Sequence, residues 1–355
     1  MTATATTAAT TTKTHSQPAK SAKSLRVFNA PAPPAIDLAG KPIPHVARWG
    51  FSPAAFKNDE LRTLPFPVLL IAAFIAFNSS AYARDLYTRL DESYTLFQIN
   101  TIGTFAITTI VYWAWAAVFA FIDLTGYPKA LFKYKVQPFA RVNLRDYARI
   151  AVCVVKNQLL VALPMTIFAA KYFPSPVHPD MLQSAWAAVG HIIFNNICTE
   201  VGFYFIHRAF HSKMLYARYH KKHHMLTAPV GLGATYCGVA EHLLSNLLPN
   251  VIGIAILRPH WSILVVTFCY IEISTITAHS GYNIPYLISS LRHDWHHFAF
   301  TENYGPLGIF DNWLGTARKY DEVMAEGTAR HLGDRDAARE ELLSKLAAWE
   351  ASQSE

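Results

Sequence analysis

Charge is scarce in this sequence. Only 15% of its 355 residues are Asp, Glu, Lys or Arg, against 52% hydrophobic, too little for the two or three soluble domains that a chain of this length would otherwise make. Cysteine is scarcer still. Cys153, Cys198, Cys237 and Cys269 stand 32 to 45 residues apart with no CxxC, which argues against a disulfide framework or a thiolate zinc site and leaves four reduced thiols. With no GxSxG elbow, serine hydrolase chemistry has no seat. Gly231-Leu232-Gly233 lacks the third glycine of a dinucleotide loop, and no flavin, haem or nicotinamide motif occurs elsewhere. Acidic residues number 24 against 31 Lys and Arg, a formal net charge of +7. The basic residues form no single stripe, so nucleic acid is not expected as a partner; basic loops on a membrane face are.

Long apolar runs fill the space that charge leaves. Residues 1–62 read as a disordered basic tail and membrane approach: eight Thr and four Ala in the first 14 residues, then Lys13, Lys20, Lys23 and Arg26 before any acid. Thr63 to Ala83 carries no charge, and Ser93 to Ile122 gives thirty uncharged residues in a row, each long enough to cross a bilayer as a helix. Ile150 to Phe173 and Ala185 to Ile206 are expected as further spans, interrupted by Lys156 and Glu200. Leu243 to Leu257 and Trp261 to Ile271, parted by Arg258-Pro259-His260, read as a re-entrant or interfacial hairpin. The expected fold is therefore an all-α integral membrane protein of about four transmembrane helices plus a re-entrant hairpin. It divides into transmembrane helices over 63–206, a histidine-rich region over 207–320 and a polar C-terminal helix or tail over 321–355. Residues 126–149 hold six Lys/Arg and residues 207–225 hold five, whereas the turns at 84–92 and 171–184 hold two and one. By the positive-inside rule both termini and the start of the histidine region are cytoplasmic.

Histidine is unusually frequent for a membrane protein, with 11 of 16 lying between His207 and His297. They form HRAFH (His207, His211), HKKHH (His220, His223, His224) and HDWHH (His293, His296, His297), with His242 and His279 between the second and third. Spacings of three and four put imidazoles on one helix face, where they converge on a point. Ten candidates exceed what one ion needs, so the pattern implies a dinuclear centre, or one centre and its supporting groups. Imidazole suits iron, zinc and copper alike. Glu200 and Glu272 each stand seven residues before a histidine (His207 and His279), two helical turns up the same face, where a carboxylate can support a ligand or simply form an ion pair.

These boxes, in this order behind apolar spans, resemble the fatty acid hydroxylase and sterol desaturase superfamily over roughly residues 150–320. The resemblance implies a membrane-bound di-metal oxygenase of the endoplasmic reticulum, its active site cytoplasmic, that hydroxylates or desaturates a lipid. It implies two iron ions, with zinc a possible occupant in isolated protein, O2, and electrons from NAD(P)H delivered by cytochrome b5 and its reductase. It assigns the ten histidines above as metal ligands, with no catalytic residue beyond them. TAHSGYNIP (277–285), HDWHH and NYGPLGIFDNWLGT (303–316) are most similar to the C4-methylsterol oxidase branch. That implies stepwise oxidation of a sterol C4 methyl group; an acyl-chain or sphingolipid hydroxylase, or a specialised triterpenoid oxidase, is the alternative within the family, and a histidine-based metal transporter the alternative outside it. In the same tail Asp311 is placed either to hydrogen-bond a liganding histidine or to cap a helix. Lys213, Arg218, Lys221 and Lys222 would either dock an acidic electron donor or meet lipid headgroups.

Overall fold

The computed structural model describes residues 63–329 except 138, 139 and 141; the expected N-terminal tail and the end of the polar C-terminal segment lie outside the described residues. What it describes is helical, with one isolated antiparallel bridge between Lys135 and Tyr282. Four helices are long and apolar enough to cross a membrane, but only two of them are segments expected as spans.

The first uncharged run is broken. Helices α1 (Pro65–Asn78) and α2 (Ala81–Ser93) meet at a 71° bend. Two serines cause the break: Ser79 and Ser80 donate their hydroxyls back to Ile75 O and Phe77 O, and Ser80 Oγ accepts the Ala83 amide, capping α2. Helix α3 (Leu96–Thr125) opens on a Thr95/Gln98 capping box and stops at Gly126, whose φ of +71° suits a residue without Cβ. Helix α4 (Leu144–Tyr172) starts six residues before the apolar run because Asn143 caps it.

Helix α5 (Ala185–Phe210) is continuous over 26 residues, yet it is not among the four; His191, Asn195, Asn196 and Glu200 dilute its apolarity. The two segments read as a short hairpin are instead helices α6 (Val239–Leu257) and α7 (Trp261–His279), 19 residues each and long enough to cross. They run through the polar residues taken as their limits. His260, in the turn that parts them, caps α7 by accepting the Ser262 amide. Helices α3, α4 and α6 each contain a π-helical turn, at Ile99–Gly103, Gln158–Ala162 and His242–Leu247.

Helices α5 and α6 approach closely through glycine. A Cβ on Gly202 would lie 2.9 Å from Pro249 Cβ, and one on Gly253 would lie 2.6 Å from Asn195 Oδ1, an oxygen that accepts the Ile254 amide. Since α5 carries the first histidine box, this crossing sets its height. Gly253→Ala is expected to cost about 1–3 kcal/mol through overpacking, read as a lower thermal midpoint of the detergent-solubilised protein. A midpoint equal to wild type would show that the crossing is looser than described.

At the histidine end, a buried polar cluster fixes the 126–147 segment. Lys135 is ion-paired with Asp123, which also accepts from Tyr147 and Tyr282 hydroxyls, and Gln137 donates to Asp294 in the third box. Helices α8 (Leu291–Ala299), α9 (Ile309–Leu314) and α10 (Arg318–Ala329) complete that end.

Candidate metal centre

His207 lies in the last turn of α5 and His211 caps it. The second box is not one α-helix: a π turn (Tyr216–His220) is followed by a 3-10 turn (His223–Met225). His220 and His224 nevertheless face each other, with Nε2 atoms 3.0 Å apart. The third box lies on α8 and His279 ends α7.

Nine of the ten expected histidines gather into two groups whose ligand-capable atoms lie within 4.8 Å of one another. One holds His207, His211, His220, His224 and His296; the other holds His223, His279, His293 and His297. Consecutive histidines separate: His223 and His224 serve different groups, as do His296 and His297. His242 stands outside both; it lies 3.4 Å from Asn246 Nδ2 through Nδ1, and its buried Nε2 has no partner.

Hydrogen bonding fixes which nitrogen is free. The Nδ1–H of His207 is donated to Tyr304 O (2.7 Å), that of His279 to Thr275 O (2.8 Å), that of His296 to Glu302 O (2.6 Å) and that of His297 to Leu226 O (2.9 Å), while His220 Nδ1 donates to Glu241 Oε1 (2.6 Å). Each neutral ring then has a bare lone pair on Nε2. In the first group the Nε2 atoms of His207 and His220 face each other at 3.0 Å, and those of His211 and His296 are buried without a partner. In the second, His293 Nε2 lies 2.8 Å from His279 Nε2 and 3.0 Å from His297 Nε2. Lone pairs aimed at one another repel unless a cation lies among them. Nitrogens sharing an ion at about 2.1 Å are separated by about 3.0 Å in octahedral and about 3.4 Å in tetrahedral geometry, the spacing seen here. The residues fit two ions.

Burial keeps the donor set neutral. It pushes the imidazolium of His207 down to about 4. Burial first, then the neighbouring histidines, pushes His211, His220, His223, His224 and His293 further down. His296 and His297 are lowered by burial in the same way. At neutral pH the ring lone pairs are available to a metal.

The carboxylates behave differently from the sequence expectation. Glu200 accepts the amides of Leu307 (2.8 Å) and Phe310 (3.1 Å), and Asp311 accepts those of Tyr304 (2.8 Å) and Gly305 (2.6 Å) and the Thr316 hydroxyl (2.6 Å). Neither touches a histidine directly; together they shape the loop that offers Tyr304 O to His207. Glu272 forms no hydrogen bond or ion pair with a histidine among the described residues, and its Oε2 is buried without a partner. Three supporting groups escape sequence reasoning. Glu241 bonds His220. Glu302 receives Trp295 Nε1 and the Lys319 and Tyr320 amides through its carboxylate while its carbonyl holds His296. The Leu226 carbonyl could be found only from the fold. Lys222, expected to meet either an acidic donor or lipid headgroups, turns inward to Cys153 Sγ (2.8 Å) and Cys237 O (3.0 Å).

A membrane bundle that closes two all-histidine pockets at one end defines a class of metal-dependent membrane protein. The fatty acid hydroxylase family model matches residues 192–316. Fatty acid hydroxylase ahd1 of Mycosarcoma maydis is 34% identical over 313 residues, 86% of this chain and 81% of that protein. Fatty acid hydroxylase domain-containing protein 2 of Homo sapiens is 32% identical over 232 residues, 63% of this chain and 68% of that protein. Very-long-chain aldehyde decarbonylase GL1-8 of Oryza sativa subsp. japonica is 31% identical over 251 residues, 64% and 89% respectively. No solved structure matches. The chain belongs to the fatty acid hydroxylase and sterol desaturase superfamily. It is a multi-pass membrane oxidoreductase of lipids.

Proposed function

We propose that the protein is a di-iron monooxygenase that oxidises a sterol C4 methyl group. The observation that carries the oxygenase reading is the pair of histidine groups with their lone pairs converging; the TAHSGYNIP, HDWHH and NYGPLGIFDNWLGT segments carry the sterol reading. His207, His211, His220, His224 and His296 would hold one iron and His223, His279, His293 and His297 the other; His242 is not assigned. Bound iron supplies the oxidant that breaks an unactivated C–H bond, which side chains cannot provide. The protein contributes neutral, buried imidazoles, held by carbonyls and one carboxylate. Each turn converts R–H, O2, two electrons and two protons into R–OH and water.

With no cofactor motif in the chain, the electrons come from NAD(P)H through cytochrome b5 and its reductase. The basic loops support a site on the cytoplasmic side, and the family resemblance supports the endoplasmic reticulum as the membrane. A second reading, acyl-chain hydroxylation, is favoured by the name of the Mycosarcoma maydis relative.

Membranes containing the protein, given O2, NADPH, cytochrome b5 and its reductase, are expected to convert a 4-methylsterol to its C4 alcohol and onward to the acid, read by mass spectrometry against fatty acids and ceramides in the same panel. Oxygenation of the acyl lipids alone would replace the sterol reading with the second one. Dialysis against an iron chelator is expected to abolish turnover and Fe(II) to restore it; full activity after verified metal removal would overturn the oxygenase reading itself.

A further inference from the structure

The two histidine groups are alike in burial but not in what stands behind them. Five of their nine histidines have an Nδ1 partner, and four of those partners are backbone carbonyls: Tyr304, Glu302, Leu226 and Thr275. The fifth is the carboxylate of Glu241, 2.6 Å from His220 Nδ1. Glu241 is 3% exposed, and its second oxygen, Oε2, is buried without a partner. A buried, half-satisfied carboxylate is costly unless positive charge lies close by. Lys222 of the same box spends its ammonium on Cys153 and Cys237. Its charge also reaches Glu241 through space, but the oxygen on His220 Nδ1 faces the ring, and an ion held through His220 would bring positive charge there.

We infer that Glu241 is a positioning residue that makes the two metal sites unequal, so that the five-histidine site holds its ion more tightly and favours its more oxidised state. The inference rests on the two-iron reading above. A carboxylate drawing the Nδ1 proton makes Nε2 of the same ring a stronger donor and adds a negative charge to that site, whereas a carbonyl does less of the first and none of the second. In the four-histidine site His279 and His297 rest on carbonyls instead. Glu241 therefore fixes the His220 ring and tautomer and also decides which ion leaves last.

The test uses the full chain in detergent, loaded with 57Fe, as wild type and as Glu241→Gln, which keeps the size and a carbonyl acceptor but removes the charge. Metal content is followed under rising chelator concentration and the samples are compared by Mössbauer spectroscopy. Wild type is expected to hold two ions and lose them in two steps, with two distinct quadrupole doublets. In E241Q the later step is expected to move to chelator concentrations about 10–100-fold lower, with one doublet shifted and the other unchanged. Glu241→Asp retains the charge at longer reach; it should weaken the same ion by less, and it serves if E241Q does not accumulate. Wild type with two ions, and variants that lose both ions together or show the wild-type order and spectrum, would overturn the role of Glu241. Wild type that never holds more than one ion would take down the two-iron reading instead.

Discussion

His223→Ala and His224→Ala, changes at consecutive positions, are expected to remove different metal ions. His223 belongs with His279, His293 and His297, and His224 with His207, His211, His220 and His296. The separation follows from local geometry: a 3-10 turn over His223–Met225 sends the two rings apart, at an interplanar angle of 87°. Each variant should therefore retain about one ion per chain where wild type retains two, and the retained ion should differ between them. Turnover should fall in both by more than the roughly 10–100-fold that loss of a supporting partner costs, because a substrate oxidation that draws on both ions cannot proceed on one. Metal analysis and 57Fe Mössbauer spectra of the two variants check this together. Identical spectra from H223A and H224A would show that the two groups act as one site.

Asp311→Ala carries the second large effect. Asp311 is fully buried, and its carboxylate accepts two amides and a hydroxyl. Burial raises its carboxyl above the ordinary range, while the accepted hydrogen bonds from Thr316, Gly305 and Tyr304 pull it back down. Truncation leaves all three donors without their acceptor, and bonds to a charged group are worth about 1.5–3 kcal/mol each, so a loss of about 3–5 kcal/mol is expected after partial relaxation. The consequence reaches the metal because Tyr304 joins both ends: its amide is held by Asp311 and its carbonyl by His207 Nδ1. A reduced thermal midpoint together with faster loss of one ion to chelator is the expected signature. A lowered midpoint with normal ion retention would confine Asp311 to folding.

The histidine boxes were legible because ligand chemistry writes itself into spacing. Intervals of three and four bring imidazoles together on any turn close to helical, so HKKHH converged even though it is a π turn and a 3-10 turn. Support for those rings was harder to read. Carbonyls of Tyr304, Glu302 and Leu226 leave no trace in residue type, since every residue carries one. Glu200 and Asp311 were noticed for the right place and a different task, which depends on a loop more than a hundred residues beyond Glu200. At 241 and 242 the expectation fell on the histidine, while the carboxylate beside it makes the contact; nothing in the order Glu-His tells which of two neighbours points inward. Membrane helices followed the same pattern. Apolar length found α3 and α4, but two serine hydroxyls broke the first run, and polar residues inside α6 and α7 disguised helices of full length.

The π turns carry a consequence for descent. Each adds one residue to its turn, so side chains after it are rotated by about 100° from where an unbroken α-helix would carry them. In α6 the turn lies between Glu241, which faces the histidines, and Gly253, which must face Asn195. Deleting one residue from 242–247 would leave a perfectly good helix that could satisfy one of those two neighbours and not the other. An insertion or deletion at that turn would therefore reassign faces, and a helix of unchanged apolar length would present different side chains to the histidines.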